Sequence, residues 1–189
     1  NVKDGQMSQD DFGSLATSAA RIANSLIFLD DVSALSINQI RASARRMVQS
    51  HAVKLIVIDY IQLIGSQSAR PQNREQDVSD ISKGIKGMAM ELKIPVLALS
   101  PLNDDGNLRE SRAIGQDADN VWVIDQNEND PGNDEDDGRG MVLKIKKQRN
   151  GPTGSVPMTF LKPFTRFTDQ TKVDRRDIPK NVGKRHNDE

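Results

Sequence analysis

The feature that most constrains this chain is a short apolar run, Leu-Ile-Val-Ile at residues 55–58, followed directly by Asp59. Three of these four residues are β-branched, which predicts a strand buried on both faces of a parallel sheet. The carboxyl ends of such strands line the ligand crevice of an open α/β sheet. A carboxylate there can hold a Mg²⁺ ion that bridges nucleotide phosphates, as a Walker B aspartate does. The alternative is an aspartate that only caps a loop or a helix.

Length and charge limit what the rest of the chain can add. Its 189 residues are enough for one domain with a substantial core. The 26 Lys and Arg residues nearly balance the 27 Asp and Glu residues, so contact with nucleic acid would require a local basic patch. The absence of cysteine excludes disulfides and cysteine-based zinc sites. With no transmembrane-length run and no secretory signal, we expect a soluble cytoplasmic protein.

Helical and strand patterns alternate along the chain, which predicts an α/β fold with a mostly parallel sheet flanked by helices. Capping signatures at Ser8 and Ser36 predict two helix starts. A third helix is predicted from Val78 to just before Pro95, and a short one within residues 103–116. The predicted strands cover residues 26–29, 55–58, 96–99 and 121–124.

Two further details of the predicted helices concern packing. The second helix carries basic side chains opposite its apolar face, and we expect them to be solvated, with contact to phosphate as the alternative. These side chains are Arg41, Arg45 and Arg46. Gly84 and Gly87 weaken the third helix and are expected to permit close packing against the sheet.

A basic β-hairpin is predicted near the end of the chain, because residues 141–148 and 156–160 each alternate apolar with polar side chains. Lys147 and Arg149 are two residues apart and therefore share one side of an extended strand. An arginine that projects from a hairpin can reach the γ-phosphate bound by a neighbouring subunit, as an arginine finger. The alternative is a pair of basic residues that only protect a sheet edge.

A second basic segment, Leu-Arg-Glu-Ser-Arg at residues 108–112, precedes the short predicted helix. It could bind DNA phosphates through backbone N–H groups and arginines, or it could be a charged helix cap. No Gly-x-x-x-x-Gly-Lys-Ser/Thr sequence occurs in the chain, so the phosphate-binding loop of a nucleotide site is missing. Taken alone, the chain is not expected to hydrolyse ATP well.

Four segments in a fixed order give these patterns a common origin. From residue 1 to about 167 the chain resembles the DnaB-type replicative helicases, specifically the later part of their RecA-like motor domain. The matching segments are Ile-Asp-Tyr-Ile-Gln-Leu at 58–63, Leu-Lys-Ile-Pro-Val-Leu-Ala-Leu-Ser at 92–100, Leu-Arg-Glu-Ser with Ala-Ile-Gly-Gln-Asp-Ala-Asp within 108–119, and Lys-Gln-Arg-Asn-Gly-Pro at 147–152. We therefore expect residues 1–168 to be part of that domain and 169–189 to be a disordered polar tail.

The resemblance implies a role for each candidate residue. Asp59 corresponds to the Walker B aspartate, which binds Mg²⁺ and ATP, and Ser100 is assigned to the same nucleotide site. Lys147 and Arg149 match the hairpin pair that enters the adjoining subunit's ATP site. The residues expected to line the channel for single-stranded DNA are Arg109, Glu110, Ser111 and Arg112.

The family implied by this resemblance forms hexameric rings that bind ATP between subunits and move along one DNA strand. Such rings unwind the duplex at the replication fork and work with primase and a helicase loader. Their phosphate-binding loop and catalytic glutamate lie upstream of the part matched by Asn1, which is not a methionine, so we expect a fragment of a longer helicase.

Departures from the family leave other interpretations open. Pro101 stands where the family has a glutamine that senses the γ-phosphate, and Arg112 stands where it has glycine. Proline lacks both the side-chain donor and the backbone N–H, so coupling between ATP and DNA would change. One alternative is a non-catalytic RecA-like module that binds single-stranded DNA or a helicase ring. Another is a different RecA-like ATPase, such as a recombinase or a clock-type regulator.

Overall fold

The computed structural model describes residues 9–65, 74–103, 112–127 and 139–169, apart from the side chains of residues 9–11, 112 and 139. The chain divides into two compact units, Asn1–Ala34 and Leu35–Glu189. The helices are α1 (Gln9–Ala23), α2 (Ile37–His51), α3 (Arg74–Leu92) and α4 (Arg112–Asp117), and the strands are β1 (Ile56–Ile58), β2 (Val96–Ala98), β3 (Asn120–Gln126), β4 (Arg139–Gln148), β5 (Gly154–Leu161) and β6 (Arg166–Asp169).

The first unit contains the predicted helix but not the predicted strand. Helix α1 forms where the apolar spacing places it, although the cap at Ser8 lies outside the described residues. Residues 26–29 are not a strand, so that prediction is wrong. A strand needs a partner for its backbone hydrogen bonds, and none of the described strands pairs with this segment. Its side chains are correspondingly open to solvent, with Leu29 91% exposed.

The second unit begins with helix α2, whose predicted capping box is confirmed. The backbone N–H of Ser36 donates to Gln39 Oε1 at 2.9 Å, and the Gln39 N–H donates to Ser36 Oγ at 3.4 Å. These two bonds satisfy backbone donors that a helix start otherwise leaves unpaired. They fix the entry of α2, so that Ile37 and Ala44 point into the core.

The core of this unit lies between helices α2, α3 and α4 and one face of the parallel pair β1–β2. Strand β1 pairs with β2 in the register Ile56↔Val96 to Ile58↔Ala98. Helix α3 forms over the predicted apolar spacing and ends before Pro95 as expected. The buried cluster consists of Ile37, Ile61, Ile64, Val78, Ile81, Ile85 and Ile114. Burial of these side chains is the main force that holds the helices on the strands.

The opposite face of the parallel pair is open, which corrects the prediction of strands buried on both faces. Val57 is 54% exposed, and Leu55, Leu97 and Leu99 are exposed to similar degrees. Successive side chains of a strand point to opposite faces, and the helices α2 and α3 cover only the face that carries Ile58, Val96 and Ala98. The sequence pattern of a doubly buried strand is therefore present, while the chain buries one side.

The predicted hairpin is confirmed and belongs to a larger antiparallel sheet, with the strand order β3-β4-β5-β6. Strands β4 and β5 pair from Arg139↔Phe160 to Ile145↔Gly154. Strand β3 pairs antiparallel with β4, and its register shifts by one residue between Val121 and Trp122. The fold is therefore α/β, with a parallel pair covered by helices and a carboxyl-terminal antiparallel sheet.

Two arginines of α2 pair with a carboxylate of α3 and remain partly solvated, since 39% of the Arg41 side chain and 50% of the Arg45 side chain is exposed. Arg41 and Arg45 both donate to the carboxylate of Glu91, with 2.7 Å between Arg45 Nε and Glu91 Oε1. The hydrogen bond from Arg41, followed by that from Arg45, lowers the pKa of Glu91. The predicted solvated face is therefore confirmed for Arg45 and Arg46, and two of the three arginines also link α2 to α3.

The two glycines of α3 differ in their surroundings. A Cβ atom at Gly84 would lie 2.5 Å from Ile37 Cγ1, while one at Gly87 would have no neighbour within 4 Å. Gly84 therefore permits close contact between α3 and α2, and not between α3 and the sheet as predicted. Gly87 has no steric role among the described residues.

Candidate functional site

The carboxyl ends of β1 and β2 bring two of the predicted residues to one edge. The backbone N–H of Leu99 donates to the Ile58 carbonyl at 2.9 Å, and that of Ile61 donates to the Leu99 carbonyl at 3.0 Å. Asp59 and Ser100 each follow one of these paired strand ends. The Asp59 side chain is exposed. This is the crevice position in which an α/β sheet binds ligands.

Gln62 is a polar residue of this edge that the sequence reasoning did not select. Its Nε2 atom donates to Ser100 Oγ at 3.0 Å, and its backbone carbonyl accepts from Arg74 Nη2 at 2.8 Å. Its Oε1 atom is buried and has no hydrogen-bond partner among the described residues. A buried acceptor without a partner is costly, and it marks this edge as a place where a donor from a ligand would be stabilised. The signal was its position three residues after Asp59, inside a matched segment.

The carboxylate at this edge suits a Mg²⁺ ion that is also bound to phosphate better than a metal ion held by protein ligands alone. Within the four described ranges, no three His, Cys, Asp or Glu side chains converge on one point. Mg²⁺ in nucleotide sites is commonly held by one or two carboxylates, with phosphate oxygens and water completing its shell. A single exposed carboxylate such as Asp59 fits that arrangement.

The hairpin pair Lys147 and Arg149 lies at a different place, the corner between α4 and β3. Lys147 Nζ donates to the carbonyls of Gly115 and Gln116, both at 2.9 Å. These carbonyls lie in the last turn of α4, where helical acceptors lack intrahelical partners. The structure therefore brings Lys147 against the end of the short helix, and the lysine serves there as a C-terminal cap.

Arg149 is held at the same corner by Asp119. One guanidinium nitrogen, Nη1, is 2.8 Å from Asp119 Oδ1, and the Arg149 backbone N–H donates to the Asp119 carbonyl at 2.9 Å. The second carboxylate oxygen of Asp119 accepts from Lys86 Nζ of α3 at 2.5 Å. We call Lys86, Asp119, Lys147 and Arg149 the hairpin corner.

Electrostatics keep Asp119 ionised. The hydrogen bond from Lys86 is the largest cause that lowers the pKa of Asp119, and the charges of Lys86, Arg149 and Lys147 act in the same direction. Desolvation opposes them. Neither Asp119 nor Lys86 was predicted from the sequence, although Asp119 closes the matched segment that precedes β3.

Most of the predicted DNA segment falls outside the residues that the structure describes. Arg109, Glu110 and Ser111 lie outside the described residues, and Arg112 is described only as the first residue of α4. The segment leads directly into the helix whose last carbonyls bind Lys147.

Comparison with solved structures defines the class of protein. The chain superimposes on a solved ATPase domain with a TM-score of 0.77 and 28% identity, covering 89% of this chain and 63% of that one. It matches a DnaB-like replicative helicase, solved with regard to its interactions with primase, with a TM-score of 0.73, 28% identity and coverage of 88% and 42%. A KaiC-like protein of Pyrococcus horikoshii, at 16% identity and a TM-score of 0.50, shares the fold alone. The fold is that of RecA-like ATPase domains.

Sequence comparison then gives the family. The family model described as "DnaB-like helicase C terminal domain" matches residues 1–169. The chain is 34% identical over 192 residues to the replicative DNA helicases of Geobacillus stearothermophilus and Bacillus subtilis, covering 95% of this chain and 42% of each relative. The chain therefore belongs to the DnaB-like helicase family, and it spans less than half the length of these relatives. None of its described helices is long and apolar enough to cross a membrane.

Proposed function

We propose that this chain is part of an ATP-dependent replicative DNA helicase motor. In this proposal the complete protein forms a homo-hexamer, hydrolyses ATP between subunits, moves along single-stranded DNA and unwinds the duplex at the replication fork. Membership of the DnaB-like helicase family is the observation that carries the proposal. Primase and a helicase loader are the proposed partners, and the bacterial or phage-infected cytoplasm is the proposed location.

The edge of the parallel pair is proposed as one half of the ATP site. Asp59 would hold Mg²⁺, and Ser100, oriented by Gln62, would contact the nucleotide. Bound Mg²⁺ would supply charge stabilisation for phosphoryl transfer. The exposed carboxylate at a strand end supports this assignment.

The hairpin corner is proposed as the other half, acting on the ATP of the adjoining subunit. Arg149 would stabilise the negative charge that develops on the phosphate oxygens, and Lys147 would add positive charge beside it. The Arg149 side chain is 54% exposed despite its bond to Asp119, so it is accessible to a ligand. The segment Arg109 to Arg112 is proposed to hold the backbone of single-stranded DNA.

Steady-state ATPase assays of the complete protein test this assignment. Arg149→Ala should reduce kcat by about 10³-fold or more, because an arginine finger contributes that much to phosphoryl transfer. Each subunit should still bind nucleotide, as measured with a fluorescent ATP analogue. Lys146→Ala is the matched control, since Lys146 is the neighbouring basic residue of β4 and its side chain is exposed. Normal ATPase activity of the Arg149→Ala protein would remove the finger assignment.

A non-catalytic RecA-like module is the second candidate, and Pro101 is the observation that favours it. Pro101 follows Ser100 and can offer neither an N–H donor nor a polar side chain to a phosphate. A module of this kind would bind single-stranded DNA or a helicase ring without turnover. The absence of ATP hydrolysis by the complete wild-type protein, with DNA binding retained, would favour the module over the motor.

A further inference from the structure

We infer that Asp119 is a positioning residue that aims Arg149 at the phosphates of the adjoining subunit and ties it to helices α3 and α4. This inference rests on the proposed function, because it explains how the proposed finger is held. It assigns a role to two residues, Asp119 and Lys86, that lie on neither the predicted metal site nor the predicted DNA segment.

Asp119 connects Lys86 to Arg149, and we call these two contacts the brace. Its two carboxylate oxygens bind different cations, Oδ2 accepting from Lys86 at 2.5 Å and Oδ1 lying 2.8 Å from Arg149 Nη1. Since both oxygens are engaged, the carboxylate plane cannot rotate without losing one partner. Lys86 is the best shielded of the three, with 29% of its side chain exposed, and it belongs to the longest described helix, α3. The brace is therefore anchored on a rigid element.

Arg149 is fixed at two levels by the same residue. Its side chain binds the Asp119 carboxylate, and its backbone N–H donates to the Asp119 carbonyl at 2.9 Å. A guanidinium group has five N–H donors in a planar fork. One nitrogen bound to Asp119 restricts the position of that fork, while the remaining donors stay available for phosphate oxygens. Pre-orientation of this kind reduces the entropy lost when the finger engages its target.

The charge balance of the hairpin corner is compatible with phosphate binding. Three cations, Lys86, Lys147 and Arg149, surround the single carboxylate of Asp119. The corner therefore stays positively charged, and Asp119 orients Arg149 without cancelling the attraction for a triphosphate.

The corner also links the finger to helix α4. Lys147 binds the carbonyls of Gly115 and Gln116, and Asp119 follows the end of α4 by two residues. Helix α4 in turn begins at Arg112, next to the proposed DNA segment. A shift of that segment would move α4, to which Lys147 is bound through two carbonyls, while Arg149 is bound to Asp119 just beyond the helix. Loss of the brace should therefore reduce both the rate of hydrolysis and its stimulation by DNA.

A double-mutant cycle on the ATPase activity of the complete protein tests the inference. Asp119→Asn removes the charge but keeps the size, and it should lower kcat by about 10- to 100-fold with little change in the KM for ATP, because a misaimed group loses transition-state contacts. In an Arg149→Ala background the same change should have almost no further effect. Asp119→Glu should restore part of the activity, and the stimulation by single-stranded DNA should fall in Asp119→Asn.

Matched variants separate positioning from general damage. Asp125→Asn is the control, because Asp125 of β3 is likewise a carboxylate bound to a lysine, Lys144, at 2.7 Å, and its loss should leave kcat unchanged. Lys86→Met removes the anchor while keeping its aliphatic stem, and it should lower kcat severalfold in the same non-additive way. This variant tests the brace even if Asp119→Asn does not fold.

The two possible failures are distinguishable. If Arg149→Ala is fully active, the proposed function of the finger is wrong. If Arg149→Ala is inactive while Asp119→Asn and Lys86→Met retain full activity, or lose it additively in the cycle, the finger stands and the positioning role of Asp119 is wrong.

Discussion

The parallel pair and the hairpin corner position their polar side chains by different interactions. At the end of β1, Asp59 is placed by the strand position alone, above a core of aliphatic side chains, and none of the described residues binds its carboxylate. At the hairpin corner, Lys147 is placed by hydrogen bonds to α4 carbonyls, and Arg149 is placed by an ion pair with Asp119, which Lys86 of α3 holds in turn. Packing therefore controls the first half of the proposed site, and charge controls the second.

Within the parallel pair, the largest effect on ATP turnover is expected at Asp59. Asp59→Asn in the complete protein should reduce ATP turnover by about 10²-fold or more, because the lost Mg²⁺ ligand contributes several kcal/mol of charge stabilisation. Steady-state hydrolysis measured against Mg²⁺ concentration is the readout. Asp80→Asn serves as the control, since Asp80 is an exposed carboxylate of α3. Unchanged turnover in Asp59→Asn would mean that this edge holds no metal.

The two glycines of α3 test how closely the helices beneath the parallel pair are packed. Gly84→Ala should destabilise the chain by about 1–3 kcal/mol, because its new methyl group would collide with Ile37. Gly87→Ala meets no neighbour and should stabilise the helix by up to about 1 kcal/mol. Urea unfolding of both variants, followed by circular dichroism, measures the difference. Equal effects would show that α2 and α3 are not in close contact at Gly84.

At the hairpin corner, where charge positions the side chains, we expect a smaller effect: a local loss of stability at low pH. The pKa of Asp119 lies below its ordinary value of 3.8, chiefly because of the hydrogen bond from Lys86. A carboxyl group whose pKa is lower in the folded state contributes stability above its unfolded pKa. That contribution is lost as the pH falls through the folded pKa. The stabilisation by Asp119 should therefore begin to fall as the pH approaches the ordinary pKa of 3.8 and be lost as the pH passes through the lower pKa of the folded state.

Titration of the carboxyl carbons by NMR measures this effect residue by residue. Lys86→Met should raise the titration midpoint of Asp119 and leave that of Asp125 unchanged, because Asp125 is held by a different lysine, Lys144. A midpoint for Asp119 that does not respond to Lys86→Met would contradict the ion pair at the hairpin corner.

Local sequence patterns were sufficient to predict the elements whose structure depends on neighbouring residues. The capping box at Ser36, the apolar spacing of α3 and the alternation of the hairpin each specify an element from neighbouring residues, and all three were confirmed. Residues 26–29 failed as a strand because their sequence encodes only the propensity, while a strand also needs a pairing partner. Likewise, the composition of β1 could not show that Val57 would be left exposed.

The residues of the candidate site also differ in how far the sequence could predict them. Asp59 and Ser100 could be placed at one edge because strand ends determine their position. The bond between Lys86 and Asp119 joins residues 33 positions apart, and no short motif contains both. The partnership of Asp119 with Arg149 required the pairing of β3 with β4 to be known. Contacts of this kind depend on tertiary packing and become visible only in the folded chain.

The central claim is that Asp59 of one subunit and Arg149 of the next form one ATP site. The most direct test is co-expression of differently tagged Asp59→Asn and Arg149→Ala subunits, with purification of the mixed rings. Each variant alone should be inactive, because every interface lacks one half of its site. Mixed rings should regain ATPase activity, because some interfaces combine an intact Asp59 with an intact Arg149. Mixed rings as inactive as the separate variants would contradict a site shared between subunits.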